Sequence, residues 1–151
     1  MKIARLLLLT AVCAVSLRAA ELTWWTDLAA ARQLAAREHK QLLVDFTGSA
    51  WCPPCIALHR EVLTTAAFAE YAKNYVLVKL DYPRRADRTP AKIAADPALK
   101  KLMELKERYG IEGYPTLLFL SPADEDKGRL VGYDEGQGPE KYLAQLDRKR
   151  N

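Results

Sequence analysis

Leu42-Leu43-Val44-Asp45-Phe46, then Thr47-Gly48-Ser49-Ala50-Trp51, then Cys52-Pro53-Pro54-Cys55 read in order as a strand, a turn and a helix start. The first five residues form a short apolar run with one acid inside it, the pattern of a strand buried on both faces. Pro53 and Pro54 would break a helix interior, yet the first helical positions tolerate proline because those amides have no intrahelical partner. A helix is therefore expected from Cys52 onward. A bridge between cysteines three residues apart closes a loop too short to remove much chain entropy, so it makes a poor structural staple. The pair alone still admits three uses: exchange chemistry, a staple, or half of a metal site completed by His59, one helical turn beyond Cys55. A solvated helix histidine is the commoner reading of His59.

Upstream, helical periodicity begins at Trp25, with Leu28, Ala31, Leu34 and Ala35 at spacings of three and four and with Thr26 or Asp27 able to cap. Downstream, the helix of the cysteines runs through Ile56, Leu58, Val62 and Leu63, pauses at Thr64-Thr65 and resumes from Phe68 to Lys73. Tyr75 to Leu80 reads as a second strand. Residues 81–97 hold Pro83, Pro90 and Pro97 together with Arg84, Arg85 and Arg88, and read as the one long irregular connection. Asp96-Pro97 opens a helix through Leu99, Leu102, Met103 and Lys106 that stops at Gly110. Thr116 to Leu120 is the third strand and Arg129 to Tyr133 the fourth, and Gly138-Pro139 introduces a last helix through Tyr142, Leu143 and Leu146. This order mixes a parallel crossover with a terminal hairpin. The fold class is therefore α/β, a central mixed β-sheet flanked by helices on both faces.

The 151 residues, 50% of them apolar, suffice for one compact domain. Residues 1–20 read differently: Lys2 and Arg5 precede an apolar run from Leu6 to Leu17, followed by Arg18-Ala19-Ala20. The run is short of the roughly 20 residues that span a bilayer, which favours a signal peptide over an uncleaved membrane anchor. Arg18, where a cleavage site wants a small residue, is the departure from that pattern. The expected division is a signal peptide at 1–20 and one domain at 21–151, with the mature protein periplasmic or secreted. Without the first twenty residues the basic count falls from 23 to 20 against 19 acids, so the net charge drops from +4 to +1. No basic face with interleaved aromatics is left, and nucleic-acid binding is not expected. Cys13 leaves with the leader, and Cys52 and Cys55 stay as a lone pair in an oxidising compartment.

Leu43-Val44-Asp45-Phe46, Trp51-Cys52-Pro53-Pro54-Cys55 and Tyr109-Gly110-Ile111-Glu112-Gly113-Tyr114-Pro115-Thr116 together resemble thioredoxin over roughly residues 24–147. The nearest subgroup is the exported thioredoxin-like proteins similar to the soluble domain of the transmembrane disulfide reductant carrier. The resemblance implies a thioredoxin-like fold and a thiol-disulfide oxidoreductase. It matches Cys52 to the attacking cysteine, Cys55 to the resolving one, and Asp45 to the buried acid that assists proton transfer at the inner cysteine. Pro115 matches the cis-proline facing the disulfide. With Trp51, Pro53, Pro54 and Tyr114 it is expected to form the substrate-binding surface. Two features depart from thioredoxin: six residues instead of five separate Asp45 from Cys52, which leaves the direction of the acid open, and the 81–97 connection is longer.

At a helix N-terminus, Cys52 is expected to be exposed and easily ionised, and Cys55, one turn in, to be buried. Pro53 and Pro54 offer a Cys52 thiolate no N–H, which favours a reductant near ~−270 mV over a strong oxidant near ~−120 mV. The alternatives are a disulfide oxidase or isomerase with the same residues, or a non-catalytic binding or metal-handling module on the same scaffold. The expected partners are disulfide-containing exported proteins and a membrane electron donor. No cofactor and no metal is called for, and a monomer is expected.

Overall fold

The computed structural model describes residues 22–150. The leader expected at 1–20, with Cys13, lies outside the described residues.

Five strands form one sheet in the order β1-β3-β2-β4-β5. They are β1 (Trp24–Trp25), β2 (Gln41–Thr47), β3 (Tyr75–Asp81), β4 (Thr116–Leu120) and β5 (Asp126–Val131). The crossovers make β3 parallel to both β1 and β2, whereas β4 runs antiparallel to β2 and to β5. The helices are α1 (Leu28–Glu38), α2 (Pro53–Leu58), α3 (Ala66–Ala72), α4 (Pro90–Ala95), α5 (Pro97–Arg108) and α6 (Gly138–Lys149).

Alternation along β2 sorts the two layers, because successive side chains of a strand point to opposite faces. Leu42, Val44 and Phe46 join a core with Leu28, Ala31 and Ala35 of α1, onto which Leu102, Met103 and Leu105 of α5 pack. Leu43 faces the other way, into a core with Leu58 of α2, Phe68 of α3 and Tyr142 and Leu146 of α6. The expected sheet covered by helices on both faces is the one that forms. Asp45 shares the strand parity of Leu43, so it faces the layer that contains α2. The extra residue before Cys52 does not change this, since it is absorbed after the strand. Gly48 closes a turn there, its carbonyl accepting from Trp51 N at 3.0 Å and from Cys52 N at 2.9 Å.

Four local expectations are corrected. Trp25, where helical periodicity is expected to begin, lies instead with Trp24 in a short strand: its backbone pairs with Leu77 and Val78, and the Trp24 ring stacks on Phe68. Between α2 and α3 the chain does not simply continue but widens into a π-helical turn, His59–Leu63, with Thr64 N donating to His59 O. The 81–97 connection is partly ordered, with a 3₁₀ turn at Arg85–Asp87 and α4, whose first amides are capped by Thr89. β5 begins three residues before and ends two residues before the expected Arg129–Tyr133. Its outer edge is polar and carries little hydrophobic pattern, and Gly132, at φ +83°, ends it before Tyr133 turns into the core.

Asp27 fixes the entry to α1, its Oδ1 accepting from Ala29 N at 2.8 Å and Ala30 N at 3.1 Å. Asp27→Ala is expected to lower unfolding stability by about 1 kcal/mol, with Asp27→Asn keeping most of it, as read from urea melts.

Candidate active site

Cys52 is the N-cap of α2, with extended backbone angles, and Pro53 and Pro54 fill the first helical positions. Cys52 and Cys55 are joined by a disulfide, with Cα atoms 5.2 Å apart. Both are buried, Cys55 at 3% exposure as expected and Cys52 at 5%, against the expectation that it stands open. Two neighbours explain the difference. The Tyr114–Pro115 peptide is cis, and the Tyr114 carbonyl oxygen lies 3.8 Å from Cys52 Sγ. On the other side, Trp51 and Tyr114 meet edge to face with ring centroids 5.9 Å apart. What the solvent meets first is Pro53, which is exposed, with Pro54 and Trp51 half-buried beside it.

The aromatic wall is tied to β3 by contacts far apart in sequence. Trp51 Nε1 donates to the Tyr82 carbonyl at 2.7 Å, and the Tyr82 ring packs against Tyr114 at 5.2 Å. Ser49 N donates to Asp81 Oδ1 at 2.9 Å and the Ser49 hydroxyl to Asp81 Oδ2, anchoring the turn before Trp51. Gly48 must be glycine for the indole to lie there, because a Cβ at that position would stand 2.5 Å from Trp51 Cε2. Gly48, Ser49, Asp81 and Tyr82 were not singled out from sequence. Their one visible hint is an acid closing an apolar strand; the Ser49–Asp81 and Trp51–Tyr82 links each cross about thirty residues.

Behind the disulfide, Asp45, Thr47, Ser49, Cys55, Ile56, His59 and Lys79 line a cavity of about 280 Å³. The structure thus brings Asp45 and Cys55 to one space, although six residues separate the acid from Cys52. Asp45 is 4% exposed, and its Oδ1 has no hydrogen-bond partner among the described residues. Burial pushes its carboxyl up to about 7; the Lys79 ammonium, on the paired residue of β3, opposes the shift, and Asp81 adds to it. From α6, the Tyr142 phenol is held above its ordinary range by burial and by the nearby Asp45 charge. A carboxyl that titrates near neutrality beside a buried cysteine can take up or return a proton at physiological pH. His59 is exposed on the cavity rim. Among the described residues no three His, Cys, Asp or Glu side chains gather in a metal-holding group.

The linkage of Asp45 to stability has a definite sign. The unfolded carboxyl ionises near 3.8 and the folded one near 7, so over that interval the folded state keeps a proton that the unfolded chain has released. The Asp45 contribution to stability is full below pH 3.8, falls as pH rises towards 7 and is flat above. Asp45→Asn, neutral throughout, is expected to gain on the wild type as pH rises from 4 to 8, by at most about 4 kcal/mol. Urea denaturation at both pH values reads the gain, and a difference that does not change with pH would contradict it.

Residues 23–122 match the model of the thioredoxin-like family. The disulfide bond reductase DsbH of Chlamydia pneumoniae is 28% identical over 115 residues, which cover 76% of this chain and 65% of that one. The chain thus spans just under two thirds of the length of this curated relative. A solved structure titled DsbH oxidoreductase superposes with a TM-score of 0.68 at 26% identity, covering 94% of this chain and 90% of the other. The C-terminal domain of Neisseria meningitidis DsbD in its oxidised form, at 18% identity, shares the fold, with a TM-score of 0.58 over 85% of this chain and all of that one. With a matching family model over residues 23–122 and the mixed sheet, helix-start cysteine pair and cis-proline already described, the chain belongs to the thioredoxin-like family.

Proposed function

We propose that this chain is a thiol-disulfide oxidoreductase that reduces or exchanges disulfides in exported polypeptides through Cys52 and Cys55. The observation that carries the reading is the cysteine pair at the start of α2 facing the cis Tyr114–Pro115 peptide. Similarity to a disulfide bond reductase supports it.

The cycle follows from the chemistry of thiolates. In the reduced protein the Cys52 sulfur, at the N-terminal end of α2, ionises more easily than a free thiol. Its thiolate attacks one sulfur of a substrate disulfide; a new S–S bond forms, and the other substrate sulfur leaves as a thiolate. Cys55 then loses its proton and attacks Cys52 Sγ, which releases the second substrate sulfur and leaves the Cys52–Cys55 bridge. Two electrons have passed to the substrate. In this reading Asp45 accepts that proton, supported by its opening on the same cavity as Cys55. Trp51, Pro53, Pro54, Tyr114 and Pro115 form the surface against which the substrate chain lies. An electron donor in the membrane would restore the dithiol.

The direction is set by the thiolate environment. Pro53 and Pro54 have no N–H, so the first amide that can solvate a Cys52 thiolate is that of Cys55, and a less stabilised thiolate makes a less oxidising couple. The leader read at residues 1–20 would deliver the domain, residues 21–151, to the periplasm or the exterior. No helix among the described residues is long and apolar enough to cross a membrane.

Insulin reduction by dithiothreitol tests the activity. The wild type is expected to accelerate it and Cys52→Ser to return it to the uncatalysed rate, whereas equal rates in the two proteins would remove the claim. Equilibration with glutathione is expected to give a potential nearer ~−270 mV, and a value above about −150 mV would overturn the reductase reading.

A further inference from the structure

The connection between β3 and α5 carries Arg84, Arg85 and Arg88, and the acids around them are already engaged. Asp87 pairs with Lys92 at 2.7 Å, Asp81 binds Ser49 and stands 3.5 Å from Lys79, and Asp96 caps α5. Among the described residues none of the three arginines pairs with a carboxylate. The segment therefore carries arginines without a paired carboxylate, and Arg88 brings this charge to Tyr114, beside the disulfide.

Arg88 is the member nearest the chemistry. Its guanidinium lies over the Tyr114 ring, 6.0 Å from the centroid, with Nη1 3.5 Å from the Tyr114 hydroxyl. Tyr114 is the residue whose carbonyl stands 3.8 Å from Cys52 Sγ. The Arg88 Nε is buried and donates to nothing among the described residues. A buried N–H on a charged group without an acceptor is costly, and a phenol at 3.5 Å compensates little of it. What such a fork matches is a carboxylate, taken through two parallel N–H···O bonds.

We infer that Arg88 reads an acidic side chain flanking the target cysteine of the substrate polypeptide. The inference rests on the oxidoreductase reading and names its substrate class. A substrate segment lying along Tyr114–Pro115 with its cysteine at Cys52 advances about 3.3 Å per residue, so an Asp or Glu within about two positions of that cysteine comes level with the Tyr114 side chain. Its carboxylate then draws the guanidinium off the ring and supplies the acceptor that Nε lacks. The attraction acts on docking and not on the sulfur exchange itself, so it belongs in KM more than in kcat.

Three disulfide peptides test this, identical except for Glu, Gln or Lys two residues from the target cysteine. Initial reduction rates are measured at low and high salt with the wild type, Arg88→Gln, Arg88→Lys and, as a charge control on α1, Arg37→Gln. The wild type is expected to prefer the Glu peptide over the Gln peptide in kcat/KM by about fivefold, with the Lys peptide slowest and the spread shrinking at high salt. The Glu-to-Gln ratio is expected to collapse towards one in Arg88→Gln, to be largely kept in Arg88→Lys and to be unchanged in Arg37→Gln. Equal wild-type rates on all three peptides, or a full ratio surviving in Arg88→Gln, would overturn the inference, and the wild-type comparison stands even if the variant does not fold. Peptides with Ser in place of Cys, with binding measured by calorimetric titration, separate the two claims. Tighter binding of the Glu peptide without reduction of any cysteine peptide removes the oxidoreductase reading and keeps the docking. No difference in binding together with no reduction removes both.

Discussion

The pairing of β2 between β3 and β4 is the constraint on which the rest of the molecule depends. Because β2 is hydrogen-bonded on both edges and covered on both faces, its register cannot slip by one residue without turning Leu42, Val44 and Phe46 out of one core and Leu43 out of the other. That register decides two things at once. It aims Asp45 at the α2 layer, and it delivers the chain leaving Thr47 to the turn that places Cys52 at the head of a helix. The acid and the cysteines thus inherit their relation from a strand whose own energetics are those of burying aliphatic side chains.

Around that strand the site is assembled by long-range ties. Tyr82, immediately after β3, holds the Trp51 indole through its carbonyl and the Tyr114 ring through packing, while Asp81 holds the turn at Ser49. The end of β3 therefore clamps both the approach to Cys52 and the cis segment opposite it. The disulfide is shielded as a result, with both cysteines buried. Burial also has its electrostatic face: the desolvation that lifts the Asp45 carboxyl to about 7 makes its ionised form costly to hold.

Most of the framework was legible in the sequence because it rests on local pattern. The apolar run of β2, the prolines at the start of α2, the Asp96-Pro97 entry to α5 and the Gly138-Pro139 entry to α6 each carry their own start signal. What was not legible depends on partners distant in sequence. Trp24-Trp25 reads as a helix approach until Leu77 and Val78 offer it a ladder, and nothing in His59–Leu63 announces a π turn, since no Pro or Gly marks it. The same division holds at the candidate site. The cysteine pair and Tyr114-Pro115 are motifs, whereas Tyr82 acquires meaning only from the Trp51 indole and the Tyr114 ring it meets, and Arg88 from the Tyr114 phenol. The burial of Cys52 was missed for the same reason, because its cover comes from a segment some sixty residues away.

The central claim is that two cysteines close in sequence are chemically unequal, one poised at a helix start and the other enclosed with a buried acid. Alkylation of the reduced protein, followed by mass spectrometry across a pH series, measures this directly. The account predicts that Cys52 is modified first, with a midpoint below the ~8.5 of a free thiol, while Cys55 stays protected until the protein unfolds. Equal rates at the two positions, or faster modification of Cys55, would contradict it.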